Sequence, residues 1–418
     1  MSIAELLKPA TGLTPEERYV LVRLAFRAHT SEPLDVGSKM LAKYFGMPDS
    51  AFTKAKDGLI EHEILFESSL AAPSGRPRAQ LKWAEEWSHE LMAELVSKTP
   101  YLDVISKLLS SCSRASMSGK VVEARMAAVR AVRSSKKISY VNCLLLVALW
   151  AYADRFGVVE GVGAKLMSTL TGLDKESLKH RLGRLVEQGF ICHVIPGGYS
   201  RMLGGRLESV YVLNCSHPIV SGAGGLPELL DYSSVRSQRA SRDHWDWTLH
   251  HHQERVRQLD RDPQGYGDDP WGRYHWVLRR EESDVYFRQL PLRLCEYACI
   301  ILESGIERLK HSELHRVLKP LIRADFQVPK PSDGELWRRS GVPHDMPEPS
   351  LRVVLDEDGS LAELSDMARV ICRYVLQVVQ VLRACVRDET LPGWANCRII
   401  WLPHISGDEG FIVLRSRA

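Results

Sequence analysis

The sequence predicts a mainly α fold with small β-ribbons, an α+β chain in which two copies of one helix-rich module precede a C-terminal α+β domain. Three observations lead there. Residues 20–65 repeat at 146–191 without a gap, a shift of 126 positions. Each copy carries helical periodicity and then alternating apolar residues around a Gly/Pro turn. Past about Ser216 that pattern stops, and long apolar helices with short strands replace it.

The repeat fixes the elements of the first half. Gly37, Lys39, Gly46, Leu59 and Glu61 meet Gly163, Lys165, Gly172, Leu185 and Glu187. Apolar positions coincide as well, among them Leu41 with Met167, Met47 with Leu173, Phe52 with Leu178 and Ile64 with Phe190. In the first copy the spacing predicts a helix over Pro15–Thr30, a second over Gly37–Phe45, a turn at Gly46-Met47 and a third helix over Asp49–Glu61. Strands at Leu65–Ser69 and Gln80–Trp83 flank a tip holding Arg76 and Arg78 and no acid. In the second copy Tyr140–Phe156 and Gly163–Thr171 are the first two helices and Gly172-Leu173 the turn. Asp174 is a natural N-cap for a third helix to Gln188, which Gly189 stops. Phe190–Ile195 and Leu207–Asn214 then flank a loop with Tyr199, Arg201 and Arg206.

Helix, short helix, Gly-turn, helix and a hairpin with a basic tip resembles the winged-helix superfamily, and each copy is similar to the DNA-binding modules of MarR and GntR regulators. The resemblance covers about a third of the chain. It implies two winged-helix domains, each placing its third helix in a DNA major groove and its hairpin on the backbone or minor groove.

Helical rotation picks the side chains. Leu178, Leu182 and Leu185 form a buried stripe, so Glu176, His180 and Gly183, flanked by Ser177, Lys179 and Arg184, face outward. In the first copy Phe52 and Leu59 turn Ser50, Lys54 and Asp57 outward, flanked by Thr53 and Gly58. Short and basic side chains suit a groove about 12 Å wide lined by guanine acceptors. The candidate DNA-binding residues are therefore Ser50, Thr53, Lys54, Arg76, Arg78, Ser177, Lys179, His180, Arg184, Arg201 and Arg206. The alternative is that these are solvated helix faces and loop tips. Glu176 and Asp57, which phosphates repel, favour that side.

The expected division is 1–113 for the first module with a trailing helix, 114–137 for a basic linker helix, 138–215 for the second module, 216–242 for a linker and 243–418 for the C-terminal domain. The linker helix sets seven cations from Arg114 to Lys137 against Glu123 alone, which suits phosphate tracking or a solvated connector. In the last domain, helices are expected over Val285–Lys319, with Pro320 as a break, and over Leu361–Val386. Strands are expected at Leu351–Leu355, Arg398–Leu402 and Phe411–Arg415. The helix over 361–386 is apolar around more than one face, so it is either core or the surface of a homodimer.

Composition narrows the class. The formal net charge of +3 over 418 residues does not by itself announce a nucleic-acid protein. No run approaches the roughly 20 apolar residues of a membrane span, and the start lacks a secretory pattern, so a cytoplasmic protein with no membrane partner is expected. The nine cysteines are scattered, without a C-x2-C pair, and read as reduced core residues. His244, His250, His251, His252 and His275 crowd with five tryptophans between Asp243 and Arg280, but no acid completes a metal-ligating layout. No nucleotide-binding or hydrolase motif is present, so no cofactor, metal or enzyme activity is expected.

The leading expectation is a sequence-specific double-stranded DNA-binding protein, a bacterial transcriptional regulator. The rivals are a replication or partition factor of a plasmid, phage or integrated element, a DNA-delivered enzyme or sensor with its site in 243–418, and a protein-docking role for the modules.

Overall fold

The computed structural model describes residues 3–8, 12–30, 37–70, 78–112, 138–231, 285–303, 311–326, 362–385, 396–402 and 410–415. The chain is mainly helical with small β-sheets and divides into two compact units. The first unit contains the chain to Val194 and Glu208–Glu228. The second contains Ile195–Leu207 and the chain from Leu229 to Arg415.

In the first unit α1 (Ile3–Leu7) leads to α2 (Pro15–His29). The Thr14 hydroxyl accepts from the Glu17 amide at 3.3 Å, and the Glu17 carboxylate accepts from the Thr14 amide at 2.7 Å. This capping box, with Pro15 just inside, sets where α2 begins. Next come α3 (Ser38–Phe45), α4 (Asp49–Glu61) and the antiparallel pair β1 (Leu65–Leu70) and β2 (Arg78–Trp83), with Leu65 opposite Trp83. The first copy closes with α5 (His89–Ser97) and α6 (Leu102–Cys112).

The second copy opens with α7 (Tyr140–Tyr152), β3 (Val158–Val159), α8 (Ala164–Thr171), α9 (Lys175–Glu187) and β4 (Ile191–Ile195). Two strands of the second unit follow, β5 (Gly198–Ser200) and β6 (Gly205–Leu207), and then β7 (Val210–Leu213). A three-stranded sheet forms in the order β3-β7-β4.

Both leading helices are buried almost all round. Val141 to Ala151 lie inside along α7, as do Tyr19 to Ala28 along α2. A helix apolar on every face has to be surrounded, and here the two copies surround each other: one continuous core runs through both, with the Tyr19 and Tyr140 rings 5.8 Å apart. Three arginines are buried on α2, and a buried charge requires partners. Arg18 donates to the carbonyls of Leu7 (2.8 Å), Leu13 (3.0 Å) and, across the repeat, Leu170 (3.4 Å). Arg23 donates to Leu109 and Tyr44.

Three expectations for the second copy are corrected. The first helix stops at Tyr152, because the Asp154 carboxylate accepts from the amides of Phe156 and Val158 and Gly157 turns the chain at φ +74°. That turn delivers β3, a strand too short to show periodicity. The expected strand Leu207–Asn214 is split, since Gly204 and Gly205 close β5 onto β6. The stretch 216–228, expected to begin a linker, packs into the first unit: His217 stacks on Phe190 with centroids 3.8 Å apart, and Val220 and Leu226 are buried.

The second unit holds β8 (Glu228–Asp231), which begins at the boundary, α10 (Val285–Glu303), α11 (His311–Asp325), α12 (Ala362–Cys385), β9 (Cys397–Leu402) and β10 (Gly410–Arg415). Its sheet runs β8-β10-β9, with Phe411 opposite Trp401. Pro320 lies inside α11 rather than breaking it. Leu314, Leu318 and Ile322 bury a stripe on either side of the proline, and that packing holds the helix despite one lost hydrogen bond. The apolar surface expected to serve a homodimer through 361–386 is taken up at home, with Met367, Val370, Ile371, Val375, Val378 and Leu382 buried against this unit's own core.

The segment 114–137, the His/Trp cluster and the expected strand at 351–355 lie outside the described residues. Among the described residues, eight cysteines are free and no helix is long and apolar enough to cross a membrane.

Candidate nucleic-acid interface

In each copy a left-handed glycine joins the second helix to the third, Gly46 at φ +72° and Gly172 at φ +70°. Gly172 is constrained twice, since a Cβ there would lie 2.8 Å from the Leu13 carbonyl oxygen and 3.1 Å from Arg18 Nε. The turn of the second copy is thus packed on the start of α2.

Asp174 caps α9, accepting from the Ser177 amide at 2.9 Å and the Ser177 hydroxyl at 2.7 Å. These bonds, the backbone one first, hold the Asp174 carboxyl below its ordinary value. Ser177, expected to meet DNA, therefore has its hydroxyl engaged in the cap and is half-buried. Leu178 and Leu185 are buried and Leu182 is half-buried, while Glu176, Lys179, His180, Gly183 and Arg184 are exposed, as the rotation predicts. Arg181 turns the other way and donates to Asn142 Oδ1 at 3.0 Å, tying α9 to α7.

On α4, Phe52, Ala55 and Leu59 are buried, and Ser50, Thr53, Lys54 and Asp57 are exposed. The two third helices differ in charge. Lys56 folds back to Glu67 of β1 and to Asp57. Burial opposes its charge, but the hydrogen bonds to Glu67 and Asp57 outweigh that and hold the ammonium above its ordinary value. Lys54 is then left among the exposed acids Asp49, Asp57 and Glu61, whereas exposed Lys175, Lys179 and Arg184 outnumber Glu176 and Glu187 on α9. Phosphate favours α9.

The hairpin residues are placed differently from expectation. Arg201 and Arg206 are exposed, but they stand on β5–β6, which packs in the second unit instead of forming a tip of the second copy. Hydrophobic Met202 and Leu203, read as loop residues, join that unit's core and carry the arginines with them. Arg78 opens β2 opposite Leu70; its side chain and all of Arg76 lie outside what is described.

Two exposed cations were missed. Lys39 and Lys165 sit in the first turns of α3 and α8, at equivalent positions of the repeat. The signal was available: the other shared identities include buried Leu59 and Leu185 and the turn glycines, whereas an exposed lysine kept in both copies serves no packing need. A cation at a helix start also gains nothing from the helix dipole. Glu208 lies at the start of α8, where a Cβ on Gly163 would come 1.9 Å from its Oε2.

Comparison with known proteins gives no match: no family model, no curated protein and no solved structure resembles the chain.

Proposed function

We propose that this chain is a sequence-specific duplex-DNA-binding protein of the regulator type, built on tandem winged-helix modules, with α9 as its principal recognition helix. The observation that carries the reading is the outward face of α9: Lys179, His180, Gly183 and Arg184 opposite buried Leu178 and Leu185. A small residue at the centre of a basic face allows close approach to base edges, and the flanking cations donate to guanine or phosphate oxygens. Lys165 on α8 supports the same side as a backbone contact. The first copy contributes Ser50, Thr53, Lys54 and Lys39 to a weaker second contact, since the acids of α4 reduce its attraction for phosphate.

Binding-site selection with the intact chain, followed by affinity measurement on the selected duplex, tests the proposal. Each base-directed cation contributes about 1–3 kcal/mol, so Lys179→Ala with Arg184→Ala should weaken binding at least tenfold. Raising salt from about 50 to about 200 mM should weaken it further by counterion release. No selected site, or a site bound equally well by the double variant, overturns the reading. The acidic face of α4 favours a second reading for the first copy alone, a protein-docking module; a selected site spanning only one half, unaffected by Lys54→Ala, would support it.

A further inference from the structure

We infer that the β5–β6 hairpin of the second unit is a stacking platform for single-stranded nucleic acid. This deepens the nucleic-acid reading but rests on residues of the second unit alone. Gly198 pairs with Leu207, Tyr199 with Arg206 and Ser200 with Gly205. Side chains alternate across a strand, so the ribbon has two distinct faces. One faces inward: Ser200 is fully buried, Leu207 packs against the core, and Met202 and Leu203 at the turn are buried in it. The other holds Tyr199 and Arg206 directly across from each other, both exposed, with Arg201 exposed at the turn.

The platform is fixed from beneath. A Cβ on Gly198 would meet Val285 Cγ2 at 2.5 Å, so the missing side chain lets the ribbon lie against α10. Buried Gln289 on α10 donates from Nε2 to the Pro196 carbonyl at 3.0 Å, and the Ser200 hydroxyl accepts from the Leu203 amide at 3.2 Å within the turn. Tyr199 is nevertheless 60% exposed. An aromatic ring held outward on an anchored ribbon brings little to the core. Beside it stand two guanidiniums that meet no carboxylate among the described residues, and the segment 195–207 contains no acid. The ring offers a face to an unpaired base and the arginines offer donors to the phosphates on either side of it, which is the chemistry of single-strand binding. A duplex keeps its bases stacked inside and gives the ring no such face.

The test measures the affinity of the intact chain for fluorescent 15-mers of deoxythymidine and of uridine and for a 15-bp duplex, with Tyr199→Ala, Tyr199→Phe, Arg206→Ala and Lys179→Ala/Arg184→Ala variants shown by circular dichroism to be folded. Expected results are binding of at least one single strand, a loss of about five- to hundredfold in Tyr199→Ala, retention in Tyr199→Phe because stacking needs the ring and not the hydroxyl, and an unchanged duplex affinity. The two oligomers tell DNA from RNA as the source of the strand. The α9 double variant should lose duplex and keep single-strand binding, so failure of either reading shows separately. Absence of single-strand binding at about 50 mM salt, equal affinity of Tyr199→Ala and wild type, or a loss shared equally by strand and duplex would overturn the inference.

Discussion

Replacing Gly172 by alanine tests whether the two copies are locked together where α8 turns toward α9. The residue has φ +70°, and placing a Cβ in that conformation costs about 1–2 kcal/mol. The added Cβ would also stand 2.8 Å from the Leu13 carbonyl oxygen, which accepts from buried Arg18 at 3.0 Å. Relieving the overlap moves that carbonyl or the guanidinium and weakens a charge-assisted bond worth about 1.5–3 kcal/mol. Together these predict a loss of about 3 kcal/mol, or roughly 6–12 °C in Tm for a unit of this size. Gly161 is the internal control: its φ is +67°, and a Cβ there meets nothing within 4 Å, so Gly161→Ala should lose only the conformational share of about 1–2 kcal/mol. Urea titrations followed by circular dichroism give both values. Equal losses in the two variants would refute the packing of this turn on the start of α2.

Gly183→Ala should raise stability by about 0.5–1 kcal/mol, since alanine is the better helix former and open space surrounds the site, while weakening duplex binding severalfold; calorimetry and a binding titration would show the opposed signs, and unchanged affinity would remove Gly183 from the interface. Burial lowers the imidazole pKa of both His193 and His217. A depressed folded-state value means stability present above the unfolded value near 6.5 and lost as pH falls below it, so urea midpoints should drop from pH 7.5 to 5.5. His217→Phe, which keeps a ring against Phe190, should reduce that drop, and a pH-independent midpoint would contradict it. Glu208→Gln takes an acid from the start of α8 beside the expected phosphate contact, and duplex affinity should rise about two- to threefold at about 50 mM salt, an effect that screening removes at higher salt; unchanged affinity at low salt would place the α8 N-terminus away from DNA.

The helices of both copies were legible because their signals are local. Asp49–Glu61 was read with its bounds, and the stop of α9 followed from Asp174, Gly189 and the Leu178–Leu185 spacing, each a property of a few adjacent residues. β3 was not legible: two valines carry no period, and their pairing with Tyr211 and Val212 spans some fifty residues. Pro320 misled for a related reason, since its local preference against a helix is outweighed by the stripe through Leu314, Leu318 and Ile322. The α9 face was read correctly as exposed. The charge of α4 was not, because only the fold shows Lys56 turned back to Glu67.

By itself the sequence determined the duplication, the turn glycines and the exposed faces of the third helices, since backbone conformation and helical phase are settled within a few residues. Only the tertiary structure decided that the two copies share one core and that Arg201 and Arg206 ride on a hairpin of the second unit. Both depend on where buried surface finds its partner: the all-round apolar α2 and α7 had to be covered, and Met202 and Leu203 found that cover against α10 and its neighbours. Which apolar surface meets which is a long-range choice that no local pattern encodes.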